Sequence, residues 1–300
     1  MRRNILLAWI ILLLSIVVAY LLFRPKGDNL LSQPLAEESK NHFAYFMQSD
    51  FYTGILESEI EIVEPTDKKI YGGIVSHHFY MEREIAKFFG KFGGQSPRTI
   101  VILGPNHFNA GNGDSDILVS KYSYQTPWGA LEPDVNAINA LLVAGSAKNQ
   151  EEPFEREHSI SVLVGFVKHR FPNAQLVPVI LKRNTSEQRV AKLAQELNRI
   201  LPEDSLVIAS VDFSHHVTNE IAQSQDKVSL QQLKDFDYTG IAKRTPEEID
   251  SPPSIGVLLK FLELKGAKIM SYTNTNQALV SGNLDNPDVT SYFFAHFTAN

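Results

Sequence analysis

The chain has 300 residues, 43% hydrophobic and 21% charged, which are the proportions of an ordinary globular protein with an ample core. It contains no cysteine, which excludes a disulfide scaffold, a cysteine-ligated zinc site and a cysteine nucleophile. The formal net charge is −6, and the part that follows the basic first 26 residues is more acidic still. We therefore do not expect nucleic acid to be the main partner.

Residues 1–26 are predicted to form an amino-terminal membrane anchor. Residues 5–23 are apolar, carry no charge and are interrupted only by Ser15. A helix of this length rises roughly 28 Å, which is close to the hydrocarbon thickness of a bilayer. The run is longer than a signal-peptide core and ends in bulky residues, so we expect an uncleaved single-pass helix. The flanking basic residues weakly favour a cytoplasmic amino end, with the globular domain outside the cytoplasm.

Residues 27–69 are predicted to be a polar linker and a segment that leads into the body, and residues 70–300 to be the main domain. Predicted strands lie at 71–76, 99–103, 117–124, 176–181, 206–211, 269–273 and 289–297. Predicted helices lie at 83–92, 133–144, 159–171, 185–201, 228–244 and 254–264. Strands that alternate with helices indicate a single α/β domain.

Three of the predicted strands end in histidine or aspartate. The side chains that follow them are His77, His107, Asp212 and His215. One strand-terminal histidine is more often structural than functional. Open α/β sheets, however, bind ligands outside the carboxyl ends of their strands, so three such ends together predict a metal or acid–base site. His78 and His216 would point to the opposite side of an extended chain, and we expect them to be structural.

Five segments, in this order, follow the pattern of a known family: Gly73-Ile-Val-Ser-His-His-Phe-Tyr80, Gly104-Pro-Asn-His107, Glu157-His-Ser-Ile160, Ser210-Val-Asp-Phe-Ser-His215 and Ile249-Asp-Ser-Pro-Pro-Ser-Ile-Gly-Val-Leu-Leu259. Over residues 70–298 the chain resembles the Memo family, also called AmmeMemoRadiSam system protein B. The resemblance implies a fold related to class III extradiol (LigB-type) dioxygenases, with a central mostly parallel sheet flanked by helices. It also implies a metal pocket, usually discussed for iron or copper.

The resemblance further implies which residues hold the metal. His77 and His107 match the two metal histidines, and the interval that leads to a cysteine in animal members leads here to Asp250. Two imidazoles and one carboxylate form the facial triad of non-heme Fe(II) oxygenases, so Fe(II) is the favoured ion, with copper or zinc as alternatives. Asp250 could instead be the N-cap of the helix that follows it. Where the family has Pro-His-Ala-Gly, this chain has Ser-His-His-Phe at residues 76–79, so the resemblance does not predict the conformation of this loop.

Three further residues are candidates for catalysis by the same resemblance. His215 is the first choice for a general acid or base, and His158 is the second, because imidazole titrates near neutral pH. His158 lies at a predicted helix start, where the helix dipole would lower its pKa. Asp212 could orient an imidazole by accepting its N–H. Candidates for a substrate-facing lip are Tyr124, Thr126 and Trp128.

Three functions fit these residues. The first is a membrane-anchored Fe(II) dioxygenase that acts on a chelating substrate such as an aromatic diol. The second is a non-catalytic module that binds a metal, a peptide or a small molecule in the same cleft. The third is a zinc hydrolase, because two histidines and an aspartate also suit zinc with an open water position.

Overall fold

The computed structural model describes residues 40–60, 64, 66–113 and 115–299. The predicted anchor at residues 1–26 and the first part of the predicted linker lie outside these ranges. Within them, no helix has both the length and the apolar character that crossing a membrane requires.

Strands and helices alternate through most of the described chain, as the sequence predicted. The strands are β1 (Asn41–Phe43), β2 (Ile70–Val75), β3 (Thr99–Pro105), β4 (Ile117–Val119), β5 (Ser123–Thr126), β6 (Gly129–Leu131), β7 (Lys148–Asn149), β8 (Gln175–Leu181), β9 (Leu206–Ser210), β10 (Ala267–Asn276) and β11 (Ser291–Ala299). The helices are α1 (Ser49–Ile60), α2 (Glu82–Gly90), α3 (Val135–Val143), α4 (Glu152–Glu155), α5 (His158–Arg170), α6 (Glu187–Ile200), α7 (Asn219–Asp235), α8 (Tyr238–Ala242), α9 (Pro252–Leu264) and α10 (Gln277–Ser281).

Most of the strands form one mixed sheet in the order β10-β11-β2-β9-β3-β8-β4-β7, and β1, β5 and β6 form a small second sheet. The central strands β2, β9, β3 and β8 run parallel. Strand β11 pairs antiparallel with β2, and β4 pairs antiparallel with β8. The expected parallel arrangement therefore holds in the centre of the sheet, whereas its edges are mixed.

Both faces of the central strands are buried under helices. In β3, Val101 and Leu103 belong to the hydrophobic core on one face, and Ile100 and Ile102 belong to the core on the other. Side chains of α6 and α9 complete the first core, and side chains of α2 and α5 complete the second. Full burial of each such side chain contributes about 1.5–3 kcal/mol, and two-sided burial explains the uninterrupted apolar run of this strand.

Two predicted elements differ from the structure. The predicted strand at 117–124 divides into β4 and β5, which belong to different sheets. The predicted helix at 228–244 is two helices, because Phe236 adopts the left-handed conformation, with φ of 54°, and ends α7. Asp237 then caps α8, since its carboxylate accepts a hydrogen bond from the Gly240 N–H at 2.8 Å.

Candidate metal centre

Three neighbouring strands deliver the predicted site residues to one edge of the sheet. Strands β2, β9 and β3 lie side by side and run parallel, with Val75 paired to Ser210 and Leu103 to Ala209. The chain continues from their carboxyl ends into His77, Asp212 and His107. Parallel strands that end at one level explain why side chains so distant in sequence converge.

Asp250 reaches the same place from the segment that precedes α9. Its Oδ2 lies 3.3 Å from Nε2 of His77 and 3.9 Å from Nε2 of His107. The backbone N–H of Asp212 donates to this oxygen at 3.2 Å. The N-cap of α9 is Ser251, so the alternative of Asp250 as the helix cap does not apply. The structure thus brings the three predicted ligands together.

The imidazole of His77 is held with its Nε2 facing the cleft. The Ser210 hydroxyl donates to the carbonyl of Ser159 at 2.6 Å, which leaves its oxygen as the acceptor for Nδ1–H of His77 at 3.1 Å. Burial lowers the pKa of His77 to about 3, so its ring is neutral near pH 7. A neutral imidazole with a free Nε2 is the form that binds a metal ion.

Glu157 orients the second imidazole. Its carboxylate accepts from Nδ1 of His107 at 2.7 Å, from the His107 backbone N–H at 2.9 Å and from the Ser159 N–H at 2.9 Å. Burial opposes ionisation of Glu157, but these hydrogen bonds and the charge of His107 lower its pKa to about 2. Burial also opposes protonation of His107, yet Glu157 raises the pKa of this histidine overall. This role of Glu157 was not predicted, although its place in the Glu-His-Ser segment was a signal.

Two aspartates lie together in the buried floor of the cleft. Burial and the charge of Asp212 raise the pKa of Asp250 well above its ordinary value. Burial opposes ionisation of Asp212 as well, but the charges of His77 and His215 hold its pKa below the ordinary value. Two carboxyl groups this close cannot both ionise at low cost without a cation between them.

The residues fit a metal ion on a further ground. Among the described residues, Oδ1 of Asp212, Oδ1 of Asp250 and Nδ1 of His215 are buried and have no hydrogen-bond partner. Each such atom costs about 1–3 kcal/mol unless a ligand or ion contacts it. Two groups of three donor atoms are each compact enough for a metal ion, with all atoms of a group within 4.8 Å of one another: His77, His107 and His158 in one, and His77, Asp212 and Asp250 in the other. Neither group is the predicted set of His77, His107 and Asp250, which takes its members from both. Nitrogen and oxygen donors of this kind suit Fe(II) or Zn(II).

The two histidines predicted for acid–base chemistry line the same cleft. The ring of His158 stacks on that of His107, and burial lowers its pKa more than any other cause, followed by the charge of His107. Burial likewise lowers the pKa of His215. Asp212 was expected to orient an imidazole, but it lies 3.8 Å from the nearest nitrogen of His77, beyond hydrogen-bond distance. The carboxylate that orients an imidazole in this cleft is that of Glu157, which accepts from His107.

The cleft has a volume of about 710 Å³ and is lined by six of the nine histidines: His77, His78, His107, His158, His215 and His216. His78 and His216 were expected to point away from it, and that prediction was wrong. Nδ1 of His78 forms a hydrogen bond with the hydroxyl of buried Tyr292 at 2.6 Å. The left-handed backbone of His216, with φ of 53°, breaks the alternation assumed for an extended chain.

The predicted lip residues lie elsewhere. Tyr124 is completely buried, Thr126 is nearly so, and Trp128 packs edge-on against Tyr52 with 5.1 Å between ring centroids. Arg183 lines the cleft instead, and no sequence pattern predicted this. Its guanidinium donates to the carbonyls of Ile249, Asp250 and Arg244, and so fixes the segment that carries the aspartate.

Several known proteins are similar to this chain. A family model described as "Memo-like protein" matches residues 36–286. A MEMO1 family protein of Caldivirga maquilingensis is 28% identical over 186 residues, which are 60% of this chain and 62% of the relative, less than two thirds of its length. One from Methanosarcina mazei is 27% identical over 248 residues, 77% of this chain and 89% of the relative. The crystal structure of an uncharacterized protein from Escherichia coli K12 matches with a TM-score of 0.49 and 13% identity, over 75% of this chain and 99% of that one.

The fold and the site define an α/β protein with a candidate metal-binding cleft at the carboxyl ends of its central strands. Since the family model covers most of the described chain, this chain belongs to the Memo family. The family predicted from the five sequence segments is thereby confirmed.

Proposed function

We propose that this chain is a membrane-anchored protein whose cleft binds a divalent metal ion through His77, His107 and Asp250. The observation that carries the proposal is that Nε2 of both histidines lies close to the same Asp250 oxygen, at 3.3 and 3.9 Å. Ser210 and Glu157 hold the opposite nitrogen of each ring, which sets the tautomer that a metal requires.

Fe(II) is the ion that we propose first. A set of two imidazoles and one carboxylate leaves positions open for a chelating substrate and dioxygen, and a bound Fe(II) would supply the redox chemistry. The absence of cysteine from the chain argues against Cu(I), which prefers sulfur donors. The fold relationship to LigB-type dioxygenases, implied by the sequence motifs, points the same way.

In this proposal His215 accepts a proton from a hydroxyl of the bound substrate. Its Nδ1 is buried without a partner, and the neighbouring charge of Asp212 would stabilise the imidazolium that forms. His158 is the second candidate, because its side chain is 39% exposed at the wall of the cleft. The cleft volume suits a small molecule or the end of a peptide rather than a folded partner. We do not expect the chain to bind nucleic acid, because its net charge is negative.

A zinc hydrolase is the second candidate function. It is favoured by the donor set of His77, His107 and His158. Catalytic zinc sites often have three protein ligands of this kind and leave the fourth coordination position open for water. The third candidate is a non-catalytic module that binds its ligand in the same cleft. In that case His215→Ala would leave the cellular role intact, whereas His107→Ala would abolish metal binding.

Anaerobic reconstitution with Fe(II) or Zn(II) separates these functions. The Fe(II) proposal predicts dioxygen uptake when a chelating aromatic diol is added to the iron-loaded protein, with uptake reduced in His215→Gln and abolished in His107→Ala. Ester hydrolysis by the zinc form without dioxygen uptake by the iron form would favour the hydrolase. Metal binding without either activity would favour the binding module.

The membrane anchor is part of the same proposal and rests on the apolar residues 5–23. We expect the full chain to remain in the membrane fraction after alkaline carbonate extraction. Protease added to intact cells would then report on which side of the membrane the domain lies. Release by carbonate would contradict the anchor and leave the metal site untouched.

A further inference from the structure

An exposed apolar surface lies where the described chain begins. Phe43 is 61% exposed, Tyr45 is 55% exposed and Met47 is 43% exposed, three large apolar side chains within five residues. We call these three residues the aromatic patch. Scattered exposed apolar residues are ordinary, but a contiguous group of them marks an interaction surface.

A stack of rings fixes the aromatic patch to the body. Phe46 lies 4.1 Å from Phe79 and 4.7 Å from Phe51, measured between ring centroids, and Tyr45 contacts both Phe46 and Phe79. These partly buried rings pack on the core beneath α2 and α5. Backbone bonds hold the segment as well, since the N–H of Tyr45 donates to the carbonyl of Ser161 at 2.9 Å. The patch is therefore a built surface.

The position of the patch in the sequence indicates what covers it. The apolar run that we propose as an anchor ends at Phe23, and residues 24–39 separate it from the described chain. Fully extended, this tether reaches at most about 55 Å, so an anchored chain keeps the patch near the bilayer. Tyrosine and phenylalanine are side chains that settle at the boundary between lipid and water.

A groove lies beside the aromatic patch and shares one lining residue, His158, with the metal cleft. Its lining includes Phe43, Tyr45 and Phe154. The groove has a volume of about 490 Å³. Arg156 stands at its edge over the ring of Phe108, with 4.9 Å from the guanidinium carbon to the ring centroid.

We propose that the aromatic patch rests on the bilayer surface, and that the groove beside it admits an amphiphile whose polar, chelating head reaches the metal cleft. The inference rests on the proposed membrane anchor and metal site, and it adds the membrane contact and the class of ligand. Burial of the patch in the lipid boundary removes its apolar area from water, and the groove holds the chain of the amphiphile against Phe43, Tyr45 and Phe154.

Absence of cysteine from the chain makes a site-specific test possible. The full chain, as Tyr45→Cys or Met47→Cys, is labelled with the environment-sensitive fluorophore NBD and reconstituted into phosphatidylcholine vesicles that carry a nitroxide lipid in both leaflets. The control is Val143→Cys on α3, a 90% exposed position whose helix packs against the opposite core. We expect labels at 45 and 47 to be blue-shifted and quenched several-fold more than the label at 143.

Equal quenching at the patch and control positions would overturn the membrane contact. A blue shift at position 45 without lipid quenching would also overturn the membrane contact, because protein rather than lipid would then cover the aromatic patch. Failure of the full chain to enter the vesicles would instead contradict the proposed anchor.

The ligand class is tested with chelators of increasing chain length. Acetohydroxamate and longer alkyl hydroxamates, below their micelle concentrations, are titrated into Co(II)-loaded protein and followed by the visible spectrum of the metal. We expect affinity to rise several-fold with chain length in the wild type. Ser161 also lines the groove, and Ser161→Phe should fill it. In this variant we expect the rise to disappear while acetohydroxamate binds as before.

Affinities that do not depend on chain length would overturn the groove as a binding site. Chain-length dependence that persists in Ser161→Phe would place the apolar contact elsewhere and overturn it too. Failure of the protein to take up Co(II) would contradict the proposed metal site.

Discussion

The imidazole ring of His158 lies on that of His107, with 4.2 Å between the ring centroids and 19° between the planes. The two residues come from different elements, the first position of α5 and the loop after β3. Glu157 ties these elements together, because it caps α5 and binds both the ring and the backbone of His107. The geometry of the cleft therefore depends on a carboxylate that need not touch a ligand.

Replacement of Glu157 by glutamine should weaken metal binding without unfolding the protein. The amide keeps the size of the side chain but loses the charge and one acceptor oxygen, so the tautomer of His107 is no longer fixed. Loss of such a partner lowers metal affinity about 10–100-fold. Competition with a chelating dye measures the change, and Glu155→Gln, an exposed position two residues away, is the matched control. Equal affinities for both variants would show that Glu157 has no such role.

Gly104→Ala tests the close approach of β3 and α5. An added Cβ would lie 2.8 Å from Cβ of Ser159 and closer still to its hydroxyl oxygen. We expect a loss of about 1–3 kcal/mol in the free energy of unfolding, because buried backbone has to move. The shift should also displace His158 and weaken metal binding. Gly94→Ala, where nothing lies within 4 Å of the new Cβ, should change neither quantity in a urea titration or a metal titration. A Gly104→Ala protein as stable as Gly94→Ala would contradict the packing described.

Asp250→Asn should stabilise the metal-free protein and abolish the stabilisation that metal provides. Without a cation, the buried carboxyls of Asp212 and Asp250 oppose each other, and the amide removes that repulsion. For a chain of this size, each 1 kcal/mol gained raises the melting temperature by about 2–4 °C. Melting curves with and without Zn(II) show both effects, and Asp285→Asn, at an exposed position, serves as the control. A metal-dependent rise in Tm that survives in Asp250→Asn would exclude this residue as a ligand.

The buried histidine of β11 should make stability depend on pH. Burial lowers the pKa of His296 to about 4, from 6.5 in the unfolded chain. The folded state thus prefers the neutral ring. The contribution of His296 to the free energy of unfolding is therefore complete above pH 6.5 and is lost as pH falls towards 4. Between pH 7 and pH 4, we expect the free energy of unfolding of the wild type to fall by about 3 kcal/mol more than that of His296→Gln. Denaturant titrations at several pH values measure the difference. Parallel pH profiles would show that His296 accepts a proton in the folded state as readily as in the unfolded state.

The features that the sequence predicted depend on local pattern. The buried strand β3 was recognisable because both of its faces are covered, which leaves an unbroken apolar run before Gly104. His77 and His107 were recognisable because parallel strands end at one edge, and Asp250 because its interval to the following helix matches the family.

The features that the sequence did not predict depend on contacts between distant residues. Glu157 lies 50 positions from His107, and Ser210 lies 133 from His77, so no local pattern links them. The division between β4 and β5 was missed because both are extended and follow each other closely, although β4 is buried throughout and only β5 alternates between buried and half-buried side chains. His216 was misplaced because its backbone is left-handed rather than extended. His78 is extended, with φ of −77° and ψ of 112°, yet it lines the cleft all the same.

The central claim is that His77, His107 and Asp250 hold a metal ion. Its most direct test is the metal content of protein purified without oxygen and then loaded with Fe(II), measured by elemental analysis beside the His77→Ala/His107→Ala variant. We predict close to one equivalent of metal per chain for wild type and almost none for the folded variant. Equal metal content in the two proteins, or no metal in either, would contradict the site.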